Sequence, residues 1–339
     1  MRLQNVVRAL LAWTAAALPL AAQLALTGAG ATFPEPIYQK WFNEYQSIGN
    51  VQINYQPIGS GGGIRNVTDG TVDFGASDGP MTDAQIKDFK QKRGCGILHL
   101  PTVLGAAVPT YNLPGATQEL NFTPDILAGI FLGKITKWND PALAQANSGV
   151  KLPSMKILVV HRAEASGTTY CFTDYLSKVS PEWKSKIGIS ASVNWPTGIG
   201  GKTNDGVAGL IKQQPGAIGY LELIYALKNH LAYGKVMNKA GKFVKADLQS
   251  VSAAAAGVNM PDDFRVSIAN AAGSTAYPIS TFTWLLIPEK NSDSSKQKAI
   301  VGFLKWAITK GQDQVESLDY ARLPAAVVAK EEKAISLIK

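Results

Sequence analysis

The sequence predicts a mixed α/β protein, and three observations carry that reading. Strand-like and helix-like segments alternate along the chain. Turn signals at Gly115, Asn139-Asp140-Pro141 and Pro261-Asp262 punctuate them. The third is bulk: 339 residues, 46% hydrophobic and 17% charged, suffice for two domains with cores and exclude a disordered chain. There is no repeat of fixed period and no low-complexity tract.

Taken in order, the first element is a leader. Arg2 and Arg8 precede an apolar run over 9–22 that ends on the small residues Ala21 and Ala22. A basic start, a short apolar stretch and a small-residue end describe a secretory signal peptide over 1–22, cleaved after Ala22. The run is too short for a membrane anchor, and no cysteine lies near it to carry a lipid. Next, Pro34 opens a helix over 35–45, with Ile37, Trp41 and Tyr45 spaced by four on one face. Strands are expected over 51–55, 71–74 and 105–111, then a helix over 124–132 capped by Thr123. A strand over 156–160 leads to a helix over 169–179, marked by Cys171, Tyr175 and Val179 at the same spacing. A helix over 207–213 and a strand over 217–220 follow. Residues 239–274 lose apolar periodicity and gain Ala, Gly and Asp, which predicts irregular structure. A strand over 281–287 and a helix over 295–309 complete the pattern.

Net charge is +8, with two of the positive charges on Arg2 and Arg8 of the leader. The mild excess favours approach of small anions. It is spread out, with no basic cluster interleaved with aromatics, so nucleic-acid binding is not expected. Cys95 and Cys171 are the two cysteines, and the sequence leaves open a disulfide or two isolated buried thiols. No Cys/His cluster has metal-ligand spacing, so no metal or other cofactor is expected.

The most informative local chemistry recurs three times. Gly28-Ala29-Gly30-Ala31-Thr32-Phe33-Pro34 runs into a helix. Gly59-Ser60-Gly61-Gly62-Gly63 places a serine after a strand and before three glycines. Ala165-Ser166-Gly167-Thr168-Thr169 sets hydroxyls ahead of another helix. A helix start offers unpaired N–H groups and partial positive charge; glycines let an anion approach, and hydroxyls add donors. One such start is ordinarily only a cap. Three in one chain point to an anion site. Arg162 lies four residues before Ser166, at the end of a strand, where a guanidinium can grip a tetrahedral oxyanion. Glu164 is a ready partner for it. Asp78 ends Thr71-Val72-Asp73-Phe74-Gly75-Ala76-Ser77-Asp78. A carboxylate repels a fully ionised anion but accepts a hydrogen bond from a protonated one. Phosphate near neutral pH keeps a proton and sulfate does not, so Asp78 is a candidate selector.

At these residues the chain resembles the periplasmic phosphate-binding proteins of Pst-type ABC importers. The matching stretches are Leu26-Thr27-Gly28-Ala29-Gly30-Ala31-Thr32-Phe33-Pro34, Gly59-Ser60-Gly61-Gly62, and Val72 through Asp78. Further ones are Arg162-Ala163-Glu164-Ala165-Ser166-Gly167-Thr168, Gly200-Gly201-Lys202-Thr203-Asn204-Asp205-Gly206, and Pro215-Gly216-Ala217-Ile218-Gly219-Tyr220. The resemblance implies a two-lobed, type II-like periplasmic-binding-protein fold with phosphate in the interlobe cleft. One lobe would take 23–104 and 272–339, the other 105–271. The first lobe would supply Thr32, Phe33, Ser60 and Asp78, the second Arg162, Ser166, Gly167 and Thr168. It further implies a monomer in the periplasm that hands phosphate to transmembrane permease subunits and performs no catalysis. The chain departs from the family pattern at Glu164-Ala165, where the family has Asp-Gly.

Rival readings are weaker. Gly75-Ala76-Ser77-Asp78-Gly79 satisfies a hydrolase G-x-S-x-G string, but Gly79-Pro80 follows at once and no histidine has a supporting motif. Gly200-Gly201-Lys202-Thr203 imitates the end of a P-loop, yet Pro196 stands where its first glycine belongs. Within the binding class, another oxyanion or an exported phosphate sensor remains the alternative.

Overall fold

The computed structural model describes residues 23–116 and 118–338; the expected leader and its cleavage site lie outside them. The strands are β1 (Leu24–Gly30), β2 (Val51–Gln56), β3 (Phe74–Ser77), β4 (Ile97–Tyr111), β5 (Asn121–Phe122), β6 (Leu158–Arg162), β7 (Ile199–Gly201), β8 (Ala217–Glu222), β9 (Ala232–Tyr233), β10 (Lys235–Met237), β11 (Phe243–Val244) and β12 (Ser280–Pro288). The helices are α1 (Glu35–Gly49), α2 (Ser60–Asp69), α3 (Asp83–Arg93), α4 (Pro124–Phe131), α5 (Pro141–Ala146), α6 (Gly167–Val179), α7 (Pro181–Lys186), α8 (Thr203–Gln213), α9 (Leu223–Lys228), α10 (Leu248–Ala255), α11 (Ser294–Ala307) and α12 (Ala325–Ile335).

One nine-stranded sheet runs through the molecule in the order β2-β1-β3-β12-β4-β8-β6-β7, with β9 beside β4. Its two halves meet at β4. Residues 97–106 of β4 pair antiparallel with β12, whereas Ala107 to Tyr111 pair antiparallel with β8. Parallel pairs β1–β2 and β1–β3 build one half, and β6–β7 and β6–β8 build the other. Each half has its own aromatic core. Phe42, Tyr45, Phe303 and Trp306 cluster under α1 and α11. Phe131, Phe172, Trp195 and Tyr220 cluster under α4 and α6, with Phe172 stacked on Tyr220 at 4.5 Å.

The periodic helices form as their patterns predict, and Thr123 caps α4 by accepting from the Ile126 N–H. Several segments differ from expectation: β4 begins at Ile97 rather than 105, α8 begins at Thr203 rather than 207, and three others have a local cause. The stretch 24–30 becomes central strand β1 despite its glycines, because they admit β3: a Cβ on Gly28 would sit 2.3 Å from the Phe74 ring. The strand expected over 71–74 begins only at Phe74, since the Asp73 carboxylate turns back to accept the Thr27 N–H and hydroxyl. Within 239–274, α10 forms where Asp247 and Ser250 make a reciprocal capping box ahead of an alanine run. Both cysteines are free and buried.

Candidate functional site

Three helix starts converge on the junction between the halves of the sheet. Thr32 and Phe33 follow β1 and precede α1. Ser60 opens α2 after β2. Ser166, Gly167 and Thr168 open α6 after β6, which ends on Arg162. Asp78 follows β3. Thr32, Phe33, Ser60, Asp78, Arg162, Ser166 and Thr168 are all buried. Gly167 is packed so closely that a Cβ there would lie 2.4 Å from Ser60 Oγ and 2.5 Å from Asp78 Oδ2. The eight candidates therefore form one cluster with contributions from both halves.

The halves are drawn together. The Gly61 N–H donates to the Ala165 carbonyl at 3.0 Å, and the Arg162 Nη2 donates to Thr32 Oγ1 at 3.2 Å. Tyr225 on α9 donates its hydroxyl to the Thr32 carbonyl at 2.7 Å.

Arg162 is the only buried Lys or Arg among the described residues. Its Nε donates to Glu164 Oε1 at 2.9 Å, its Nη2 also reaches that oxygen, and Nη1 donates to Thr168 Oγ1 at 3.2 Å. The Thr203 N–H at the start of α8 donates to the same Glu164 oxygen at 3.0 Å, which fixes the carboxylate that aims the guanidinium. The Arg162 N–H donates to the Tyr220 hydroxyl, so the aromatic core of the second half buttresses it.

The hydroxyls are polarised in one sense. Thr32 Oγ1 accepts from Arg162 and from Asn204 Nδ2; Thr168 Oγ1 accepts from Arg162; Ser166 Oγ accepts the Thr169 N–H. A hydroxyl whose oxygen already accepts still has its proton to give. These three can each donate outward. Phe33 contributes differently. Its carbonyl takes the Tyr320 hydroxyl at 2.6 Å and its ring lies against Gly105, which holds its backbone in place ahead of α1.

Asp78 stands against this set of donors. Thr283 Oγ1 donates to its Oδ1 at 2.8 Å, and its own N–H donates to Ser60 Oγ at 3.2 Å. Burial pushes its carboxyl up to about 7, opposed by hydrogen bonds from Thr283 and Ser60 and by the Arg162 charge. The site thus pairs several donors and one cation with one carboxyl that titrates near neutrality.

The comparisons with known proteins fall on the same reading. The family model described as a PBP superfamily domain matches residues 15–310. The phosphate-binding protein PstS of Xylella fastidiosa is 44% identical over 306 residues, covering 89% of this chain and 82% of that one. The chain belongs to the PstS family of phosphate-binding proteins. PstS of Haemophilus influenzae is 41% identical, with 93% and 94% of the two chains covered. In structure, the PstS-family chain is similar to a high affinity periplasmic phosphate-binding protein, PfluDING, bound with phosphate at pH 8.5. That likeness has a TM-score of 0.74 at 22% identity and covers 91% of this chain and 93% of the other.

Among the residues of this PstS-family chain that contact the cluster, sequence reasoning missed Asn204, Tyr225 and Thr283. Asn204 lies in a stretch already matched to the family, at the start of α8, and that helix start was its signal. Thr283 sits inside an apolar strand, where nothing local marks it. Ser77 of the G-x-S-x-G string is tied into its own turn, donating to the Gly79 carbonyl and accepting the Gly79 N–H. His99 is committed elsewhere: its Nε2 accepts the Met81 N–H, and burial lowers its pKa to about 4. Among the described residues, no group of three His, Cys, Asp or Glu is placed to hold a metal ion.

Proposed function

We propose that the chain binds one inorganic phosphate between its two lobes and delivers it to the permease subunits of an ABC importer, without catalysis. The observation that carries this reading is the convergence of three hydroxyl-led helix starts on Arg162, with the Asp78 carboxyl set among the donors and Glu164 paired with Arg162. Thr32, Ser166 and Thr168 would donate hydroxyl protons, and Phe33, Ser60 and Gly167 would offer backbone N–H groups. Arg162 would supply positive charge, and Asp78 would take the phosphate proton.

The lobes are 23–104 with 272–339, and 105–271. The change of partner along β4 between Ala106 and Ala107 supports that division, as do the two aromatic cores. The leader 1–22 would send the chain to the periplasm as an untethered monomer. Among the described residues, no helix is long and apolar enough to cross a membrane.

Mass spectrometry of gently purified protein should find a retained phosphate. Calorimetry on stripped protein in the presence of a chelator should give one site per chain. Steady hydrolysis of phosphate esters by homogeneous protein, lost on Ser77→Ala, would overturn the reading in favour of an enzyme.

A further inference from the structure

The phosphate reading assigns discrimination to Asp78 but leaves open what decides how that carboxyl meets a ligand. Its two oxygens stand in different surroundings. Oδ1 receives the Thr283 hydroxyl at 2.8 Å. Oδ2 is turned towards the start of α6, where a methyl on Gly167 would come within 2.5 Å of it. We propose that Thr283 is a positioning residue for anion selection: its hydroxyl occupies Oδ1, leaves Oδ2 to the ligand, and favours the accepting form of the carboxyl. This rests on the phosphate reading above.

Thr283 is itself held rigidly. It is fully buried in β12. Its carbonyl accepts the Thr102 hydroxyl at 3.2 Å, and Thr102 Oγ1 lies 2.8 Å from the Tyr38 hydroxyl. Since Thr102 gives its proton to the Thr283 carbonyl, Tyr38 donates to Thr102. These bonds run from α1 through β4 to the backbone of β12 and hold Thr283 where its hydroxyl meets Asp78. Two residues away on the same strand face, the Thr281 hydroxyl reaches the Asp78 carbonyl at 3.3 Å. The pairing of β12 with β4 shifts register between Thr283 and Trp284, the kind of irregularity that re-aims a side chain beside a site.

Other charged and titratable groups also face Asp78. Arg162 from β6 favours the ionised form. Glu222 at the end of β8 is pushed by burial towards its neutral form. Tyr38 from α1, Tyr55 from β2, Cys171 from α6 and Tyr320 ahead of α12 are all held neutral near pH 7 by burial. Against the desolvation of Asp78 stand Arg162, Ser60 and Thr283, and Thr283 is the one that also chooses the oxygen. Valine has the same shape and no proton to give. In Thr283→Val the carboxyl would keep its proton to higher pH and present an O–H to the ligand, which a fully ionised sulfate accepts.

The test is calorimetry of sulfate and of phosphate with stripped protein across the pH range around neutrality. In wild type, sulfate binding should strengthen as pH falls through about 7, as Asp78 gains its proton. Thr283→Val should move that rise upward by about one pH unit or more, the worth of a hydrogen bond to a charged group. At alkaline pH it should bind sulfate on the order of tenfold more tightly than wild type. Thr283→Ser, which keeps the hydroxyl, should follow wild type. Coincident sulfate profiles for wild type and Thr283→Val, with phosphate still bound at one site, would overturn the assignment. Thr283→Ala carries the same expectation if the valine variant does not fold. Failure of wild type itself to bind phosphate would instead bring down the underlying reading of the site.

Discussion

Replacing Arg162 by alanine tests the site most directly. The Arg162 side chain is 1% exposed and hydrogen-bonds Glu164, Thr168 and Thr32, so it bridges two groups of its own lobe and one of the other. Removing one partner of a buried charge pair costs roughly 2–5 kcal/mol in binding. Burial this deep, with a cross-lobe bond lost as well, puts Arg162→Ala in the upper part of that range. At about 3–5 kcal/mol, phosphate affinity should fall on the order of a hundredfold to several thousandfold. Arg162→Lys should recover only part, because an ammonium lacks the fork that spans Thr168, Thr32 and Glu164. The deletion also leaves Glu164 Oε1 with only the Thr203 N–H among the donors it had. Chemical denaturation should therefore show a loss of stability that Glu164→Gln relieves when combined with Arg162→Ala, while affinity stays low. Calorimetry on phosphate-stripped protein reads the affinity. An alanine variant within about threefold of wild type would show that Arg162 serves only its ion pair with Glu164.

Two further outcomes are expected. Gly167→Ala would bring a methyl to 2.4 Å from Ser60 Oγ, so it should prop the lobes apart; phosphate affinity should drop while thermal stability changes little, and small-angle scattering with phosphate should stay expanded where wild type compacts. Asp78→Asn should lose much of the preference for phosphate over sulfate in competition at fixed pH, because an amide can donate where the carboxylate can only accept. The same variant has a stability signature with a definite sign. The folded carboxyl is raised to about 7 from an ordinary 3.8, so above 3.8 the unfolded chain releases this proton first and wild type loses stability as pH rises towards 7. The advantage of Asp78→Asn in melts of ligand-free protein should grow through that window and level off above it; a constant difference would refute the shift.

Local signals account for what the sequence made legible. The three helix starts, Arg162 at a strand end and the spacing of Ile37, Trp41 and Tyr45 are each written within a few residues. What stayed hidden is long-range. Thr283 meets Asp78 across 205 positions and Asn204 meets Thr32 across 172; the helix start at Asn204 marks that residue but not its partner, and nothing near Thr283 marks it at all. Strand β1 was obscured for a related reason: its glycines argue for a loop until Phe74 is brought against them. Helix α3 escaped notice because Phe89 is its only buried residue, so it shows little apolar periodicity.

Strand β4 serves two masters, β12 along its first part and β8 along its second. A cut between the lobes would therefore not yield two independent halves. Each fragment would lose its share of a fifteen-residue central strand and expose unpaired backbone along the break. For anyone building a split sensor on this scaffold, the division belongs in a surface connection such as the turn at Gly115, leaving β4 intact as a spring steel leaf between the moving parts.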